Sequence, residues 1–195
     1  MDILNAVSET ALITLKSRVQ EAEKDEPLIK DEVARECLAS IRPLLPVETQ
    51  NRLLNRSLPL SLTRHIALRA RKYDAYARAF IADNPAGLVV SLGCGFDTRY
   101  WRVSDQAWNY IEVDLPEVIE AKKKVLGDRL TYRLIGCSVL EEDWFEEVRS
   151  LQDENILFLA EGLLMYLPPA DVVGLFNKLI LIEFYRSKFH FNLND

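Results

Sequence analysis

The sequence predicts an α/β fold, a doubly wound parallel sheet preceded by a helical cap. Three observations carry this. Helical periodicity dominates residues 1–86, short β-branched runs alternate with helical stretches from residue 87 onward, and a glycine turn directly follows the first of those runs. Alternating strand and helix imply right-handed crossovers and parallel strands.

In the cap, Leu4, Val7, Ala11, Leu12, Leu15, Val19 and Ala22 recur at three- and four-residue spacing and predict one amphipathic helix. Pro27 breaks the pattern. A short helix follows over residues 29–41, with Val33, Cys37 and Leu38 inward, ending near Pro43 and Pro46. A third helix covers residues 64–81, with Ile66, Arg69, Tyr73, Tyr76 and Phe80 at helical spacing. No Gly/Ser linker separates residues 1–86 from the rest, so they read as a cap belonging to the same domain as residues 87–195.

Beyond Gly87, residues 88–92 form a short apolar run of the buried parallel type, and residues 109–113 form a second. Residues 116–126 predict a helix with proline in its first turn, where it is tolerated. Residues 130–135 read as a third strand, 144–151 as a short helix, 156–160 as a fourth strand and 169–182 as a helix. Residues 188–193 look like the start of a fifth strand.

Composition narrows the partners. A net charge of −6 argues against nucleic acid, which needs a basic face, although Arg69-Ala70-Arg71-Lys72 is a local basic cluster. Cys37, Cys94 and Cys137 are scattered without metal-ligand or disulfide spacing, so reduced thiols and no metal site are expected. Acidic and polar residues interrupt the first twenty positions, unlike a secretory signal. The longest apolar stretch is too short for a membrane span. A cytoplasmic protein without membrane or nucleic-acid partners is expected.

Gly93 and Gly95 follow the first strand, where open parallel sheets bind ligands and where glycine lets a ligand approach the backbone. A tight turn without a ligand would use the same residues. Asp114, 19 positions after Gly95, ends the second strand, where nucleotide folds place a carboxylate that accepts from ribose hydroxyls. The alternative for Asp114 is a helix N-cap. Glu112 is expected on the other face of the strand. Thr98 and Arg99 stand where a dinucleotide turn wants a small residue, and no phosphate-loop Gly-Lys-Ser/Thr is present. A sulfonium nucleoside needs no pyrophosphate cradle. Its amino-acid end needs a cation, for which Arg69 and Arg71 are candidates, and an anion, for which Glu161 is one. A solvated helix face is the alternative for both arginines.

Three ordered segments, Gly93-Cys-Gly-Phe-Asp-Thr-Arg99, Glu112-Val-Asp-Leu-Pro116 and Ala160-Glu-Gly-Leu-Leu-Met-Tyr-Leu167, closely resemble the leucine carboxyl methyltransferase family. Its microbial branch, the polyketide O-methyltransferases of the tetracenomycin type, is the nearer match. Glu9-Thr-Ala-Leu12, Glu26-Pro-Leu-Ile-Lys-Asp31 and Arg69-Ala-Arg-Lys-Tyr-Asp74 extend the resemblance over nearly the whole chain. It implies a Rossmann-like class I methyltransferase fold and S-adenosylmethionine as cofactor. It also implies site roles: Arg69 on the methionine carboxylate with Arg71 as fallback, Gly93 and Gly95 close to the cofactor, Asp114 on the ribose, Leu115 beside the adenine and Glu161 near the methionine portion. Lys16 or Arg18 would complete the carboxylate pocket by a looser match.

Two departures matter. Ser138-Val139 stands where many relatives carry Asp-Leu toward the adenine, and serine accepts from the adenine amino group only weakly. Relatives also continue well past the fifth strand, so the sheet and part of the acceptor pocket are expected to be incomplete. Methyl transfer to a carboxylate needs no general base, whereas transfer to a hydroxyl does, and no catalytic residue is assigned; neither His65 nor His190 belongs to a recognisable triad. Tyr166 is a candidate pocket residue or a core residue. The acceptor is read as a carboxylate or hydroxyl of a small molecule or peptide. The alternatives are a catalytically impaired cofactor-binding remnant, a domain active only as a homo-oligomer through an open sheet edge, and, remotely, an NAD-dependent oxidoreductase.

Overall fold

The computed structural model describes residues 9–104, 107–151 and 155–184. The first helix, α1 (Glu9–Ala22), buries Leu12, Leu15 and Val19 as the periodicity requires. Leu4 and Val7 lie outside the described residues. Lys16, Ser17, Arg18 and Glu21 are buried too, because α1 is enclosed by neighbours rather than lying on a surface.

The second helix, α2 (Glu32–Ile41), starts three residues later than expected. Asp31 caps it, its Oδ1 accepting the Ala34 N–H at 3.0 Å. Ile29 instead packs beneath Ala67 and Ala70. A short helix, α3 (Val47–Thr49), runs into a π-helical turn, Gln50–Leu54, that buries Leu53 and Leu54; no element was expected there. The long α4 (Leu60–Asp83) buries Thr63, Ile66, Ala67, Ala70, Asp74, Ala77 and Phe80. The expected stripe shares only Ile66 and Phe80 with that face, and Arg69, Tyr73 and Tyr76 flank it half-buried.

The sheet contains β1 (Leu88–Leu92), β2 (Tyr110–Asp114), β3 (Arg133–Gly136) and β4 (Ile156–Leu159), all parallel, in the order β3-β2-β1-β4. Between them run α5 (Arg99–Val103), α6 (Pro116–Leu126) and α7 (Asp143–Ser150), and α8 (Pro169–Phe184) follows β4. The sequence reading missed α5. It also began β3 too early: turn hydrogen bonds from Leu130 to Gly127 and from Thr131 to Arg129 delay pairing until Arg133 meets Ile111. The fifth strand expected over residues 188–193 lies outside the described residues.

Alternation along the strands sorts two cores. Leu88, Val90, Leu92, Ile111 and Val113 pack with Trp144, Phe145 and Val148 of α7 and Leu175 and Leu179 of α8. Val89, Tyr110, Leu157 and Leu159 face Ala77 and Phe80 of α4 and Tyr100 and Val103 of α5. Glu112 joins Tyr110 on this second face, because residues two apart share a side. By the same rule Asp114 falls on that side too, so the expectation that Glu112 and Asp114 diverge is corrected. A third core joins α1 and α2 to Phe96 of the glycine turn and to Ala121 and Leu126 of α6. Among the described residues, no helix is long and apolar enough to cross a membrane and no cluster of metal-ligating side chains occurs.

Candidate functional site

The chain marches from β1 through β2 to β3 and then returns to the other side of β1 with β4. Loops leaving β1 and β4 therefore part in opposite directions and open a crevice at the carboxyl edge of the sheet, the usual ligand position in such folds. A cavity of about 350 Å³ sits there, closed by α1 and α4. That is near the lower end of the roughly 300–1,000 Å³ typical of small-molecule sites.

The turn after β1 forms its floor. Gly93 has φ +65° and Gly95 has φ +50°, a region that costs other residues strain. A Cβ on Gly93 would also stand 2.9 Å from Leu163 Cδ1. Gly93→Ala is therefore expected to destabilise the protein by about 1–3 kcal/mol in urea unfolding. The same substitution at Gly127, also at positive φ but with open space around it, meets backbone strain without a steric contact.

Asp114 fastens the turn to β2. Its Oδ2 accepts the Gly95 N–H at 2.7 Å and its Oδ1 the Leu115 N–H at 2.7 Å. Burial raises its carboxyl above the usual range, while the Gly95 and Leu115 N–H groups oppose the shift. The N-cap position of α6 belongs to Leu115, so Asp114 does not cap that helix in the ordinary way. An ionised carboxylate has about four acceptor sites. The two backbone bonds leave others for a ligand.

Arg69, Gly93, Gly95, Asp114, Leu115 and Glu161 all line this one cavity. Ser138 and Val139 do not. The Ser138 hydroxyl accepts the Leu140 N–H, and Val139 is buried in the α7–α8 core. Arg71 is exposed and outside the lining, so of the two arginines the cavity takes Arg69. Of the two cations considered on α1, Arg18 lines the cavity, whereas Lys16 donates to the carbonyls of Leu53 and Arg56. Tyr166 also lines the cavity and is largely exposed, which removes the core-packing alternative.

Behind the cavity lies a charge network absent from the sequence reading. Arg99 is fully buried, with Nε 3.0 Å from Asp74 Oδ1, Nη2 on Glu161, and Nη1 2.7 Å from Asp97 Oδ2. That last contact is an ion pair out of line for a hydrogen bond. Arg102 contacts Asp31, Asp74 and Asp97 at 2.8, 2.8 and 2.9 Å. Arg18 donates to Asp31 at 3.1 Å and to the Phe96 carbonyl at 2.6 Å, and Arg69 donates to Glu161 at 3.0 Å.

Four arginines thus face four carboxylates, and the cluster is close to neutral. Burial pushes the Asp97 carboxyl up, but Arg99 and Arg102 prevail and hold it well below the usual range. Asp31 is lowered in the same way against burial, by Arg102 and Arg18. Glu161 is consequently bracketed by two guanidinium groups rather than presented bare to a ligand. One sequence signal existed: Asp74 occupies a buried position of the α4 stripe, where a charge requires a partner.

The chain matches the model of the leucine carboxyl methyltransferase family over residues 11–180. It is 35% identical over 170 residues to tetracenomycin polyketide synthesis O-methyltransferase TcmP of Streptomyces glaucescens, covering 86% of this chain and 59% of that protein. It is 29% identical to the S-adenosyl-L-methionine-dependent methyltransferase dpfgK of Gibberella zeae, covering 90% of this chain and 61% of that one. A putative S-adenosyl-L-methionine-dependent methyltransferase of Mycobacteroides abscessus is 32% identical, with 91% and 63% covered. The chain spans about three fifths of the length of these curated relatives. With the glycine turn, the strand-end carboxylate and the family match in register, this chain belongs to the leucine carboxyl methyltransferase family.

Proposed function

We propose that the cavity binds S-adenosylmethionine and that the protein is an O-methyltransferase acting on a carboxylate or hydroxyl of a small molecule or peptide. The observation that carries this is Asp114: a strand-end carboxylate, anchored by two N–H groups, that borders the cavity with acceptor capacity in reserve. The cofactor, when bound, supplies a methyl group on a positively charged sulfur.

The lining fits such a group. Asp114 accepts from ribose hydroxyls, and Leu115 and Val118 give an apolar wall for a base. Arg69 commits only its Nε to Glu161 among the described residues, so its remaining donors suit a carboxylate. Glu161 suits an ammonium, and the guanidinium groups on either side of it fix its position. Methyl transfer then demands little beyond holding the acceptor oxygen in line with the methyl carbon.

Calorimetric titration with S-adenosylhomocysteine and, separately, with NAD tests the reading. Binding of the former alone is expected, and binding of NAD alone would overturn it. Asp114→Ala is expected to weaken S-adenosylhomocysteine binding by about 1–3 kcal/mol, the range for lost hydrogen bonds to a charged group. Unfolding midpoints measured in parallel separate this loss from loosening of the Gly95 turn.

A further inference from the structure

Lys122 is fully buried and does not line the cavity. It lies on α6 one turn after Val118, which does line it. Its Nζ donates to Glu112 Oε2 of β2 at 2.6 Å and to the Asp97 carbonyl of the glycine turn at 2.6 Å. One ammonium thus ties together α6, β2 and the turn.

Stability alone does not call for this arrangement. A buried ion pair gains little over well-packed apolar side chains of similar size, because both charges must leave water. Glu112 is fully buried as well, and it takes further donors from the Tyr110 and Tyr132 hydroxyls, both at 3.2 Å. The bond from Lys122 to the Asp97 carbonyl is the one that balancing Glu112 does not require. Asp97 closes the turn, since its N–H donates to the Cys94 carbonyl at 2.9 Å. Gly95, between those two residues, donates to Asp114. Asp97 is therefore fixed from two sides. Arg99 and Arg102 hold its carboxylate toward the cap, and Lys122 holds its carbonyl toward α6.

Resting on the reading that this cavity takes S-adenosylmethionine, we propose that Lys122 is a positioning residue for the nucleoside half of the cofactor. It acts through the Asp97 carbonyl, and so sets how far the glycine turn stands from Asp114 and from Leu115 and Val118 at the start of α6. Those are the residues that the ribose and the base would meet. Without Lys122 the turn stays fastened to the cap by the Asp97 carboxylate but is released on its α6 side. A ligand must then order the turn as it binds, and affinity falls by that cost.

Two variants separate positioning from stability. Lys122→Met strands the buried Glu112 carboxylate and is expected to lower the urea unfolding midpoint. Adding Glu112→Gln removes the stranded charge, and the midpoint is expected to recover most of the loss. Calorimetric affinity for S-adenosylhomocysteine is expected to stay about tenfold or more below that of the unaltered protein in both variants, because neither restores a donor to the Asp97 carbonyl. Leu126→Ala, at the end of the same helix, is expected to lower the midpoint and keep the affinity. A double variant that binds as tightly as the unaltered protein overturns the proposal, since Lys122 would then only balance Glu112. Affinity that tracks the midpoint across all the variants overturns it too, and so does a double variant that fails to fold. Failure of the unaltered protein to bind S-adenosylhomocysteine instead overturns the S-adenosylmethionine reading itself.

Discussion

Replacing Arg99 by methionine is expected to destabilise the protein by about 3–5 kcal/mol in urea unfolding, the range for removing one partner from a buried ion pair. The side chain is fully buried, and Asp74, Asp97 and Glu161 all converge on it. Methionine fills much of the volume, so the loss measures charge and hydrogen bonding rather than a cavity. Among the described residues, Asp74 and Asp97 would keep Arg102 as their ion-pair partner, and Glu161 would keep Arg69. Arg99→Lys is expected to lose less, because it keeps the charge while losing the fork that reaches three carboxylates. Arg129→Ala is the contrast: its pair with Glu36 is half exposed on both sides and is worth under about 1 kcal/mol. An Arg99→Met loss no larger than that of Arg129→Ala would show that the network contributes nothing beyond a surface pair.

Phe96→Ala is expected to cost about 3–5 kcal/mol, as for other large-to-small changes at buried aromatics. Phe96 is 2% exposed and is the residue of the glycine turn that enters the core shared by α1, α2 and α6. Its carbonyl also accepts from Arg18. Truncation leaves a cavity between the cap and the turn that forms the floor of the site. The expected signature is therefore twofold: a lower unfolding midpoint and weaker binding of S-adenosylhomocysteine in calorimetry. Leu126→Ala, in the same core but at the end of α6 and outside the cavity lining, is expected to destabilise while sparing the affinity. Equal effects of both variants on binding would mean that the cap acts on the site only through global stability.

Much of the sheet was legible because its signals are local. A parallel strand buried on both faces must be apolar throughout, and residues 88–92 and 156–159 are nearly so. The turn and Asp114 were legible for the same reason, since a site at the carboxyl end of adjacent strands places its residues just after runs that can be counted. Strand and helix limits were less legible. Asp31 delays α2 by capping it through one hydrogen bond, and two turn hydrogen bonds delay β3.

The role of the charges behind the cavity was legible only at Asp74, whose buried place on α4 calls for a partner. Asp31, Asp74, Asp97 and Arg99 belong to the segments that carry the family resemblance, yet their purpose emerges only where those segments meet. Thr98 reaches Asp31 across 67 positions, Arg99 reaches Asp74 across 25, and Arg69 reaches Glu161 across 92. Sequence spacing does not encode such distances, because an ion pair depends on the reciprocal of a separation that only packing sets.

The sequence by itself thus determined the α/β class, the glycine turn, the strand-end carboxylate and the family, all of which rest on neighbours along the chain. Tertiary structure alone decided that Arg69 rather than Arg71 meets the cavity, that Ser138 and Val139 stand outside it, and that Glu161 is a bracketed charge. A side chain's chemistry is written in the sequence, but whether that chemistry is already spent depends on which partners the fold brings within reach.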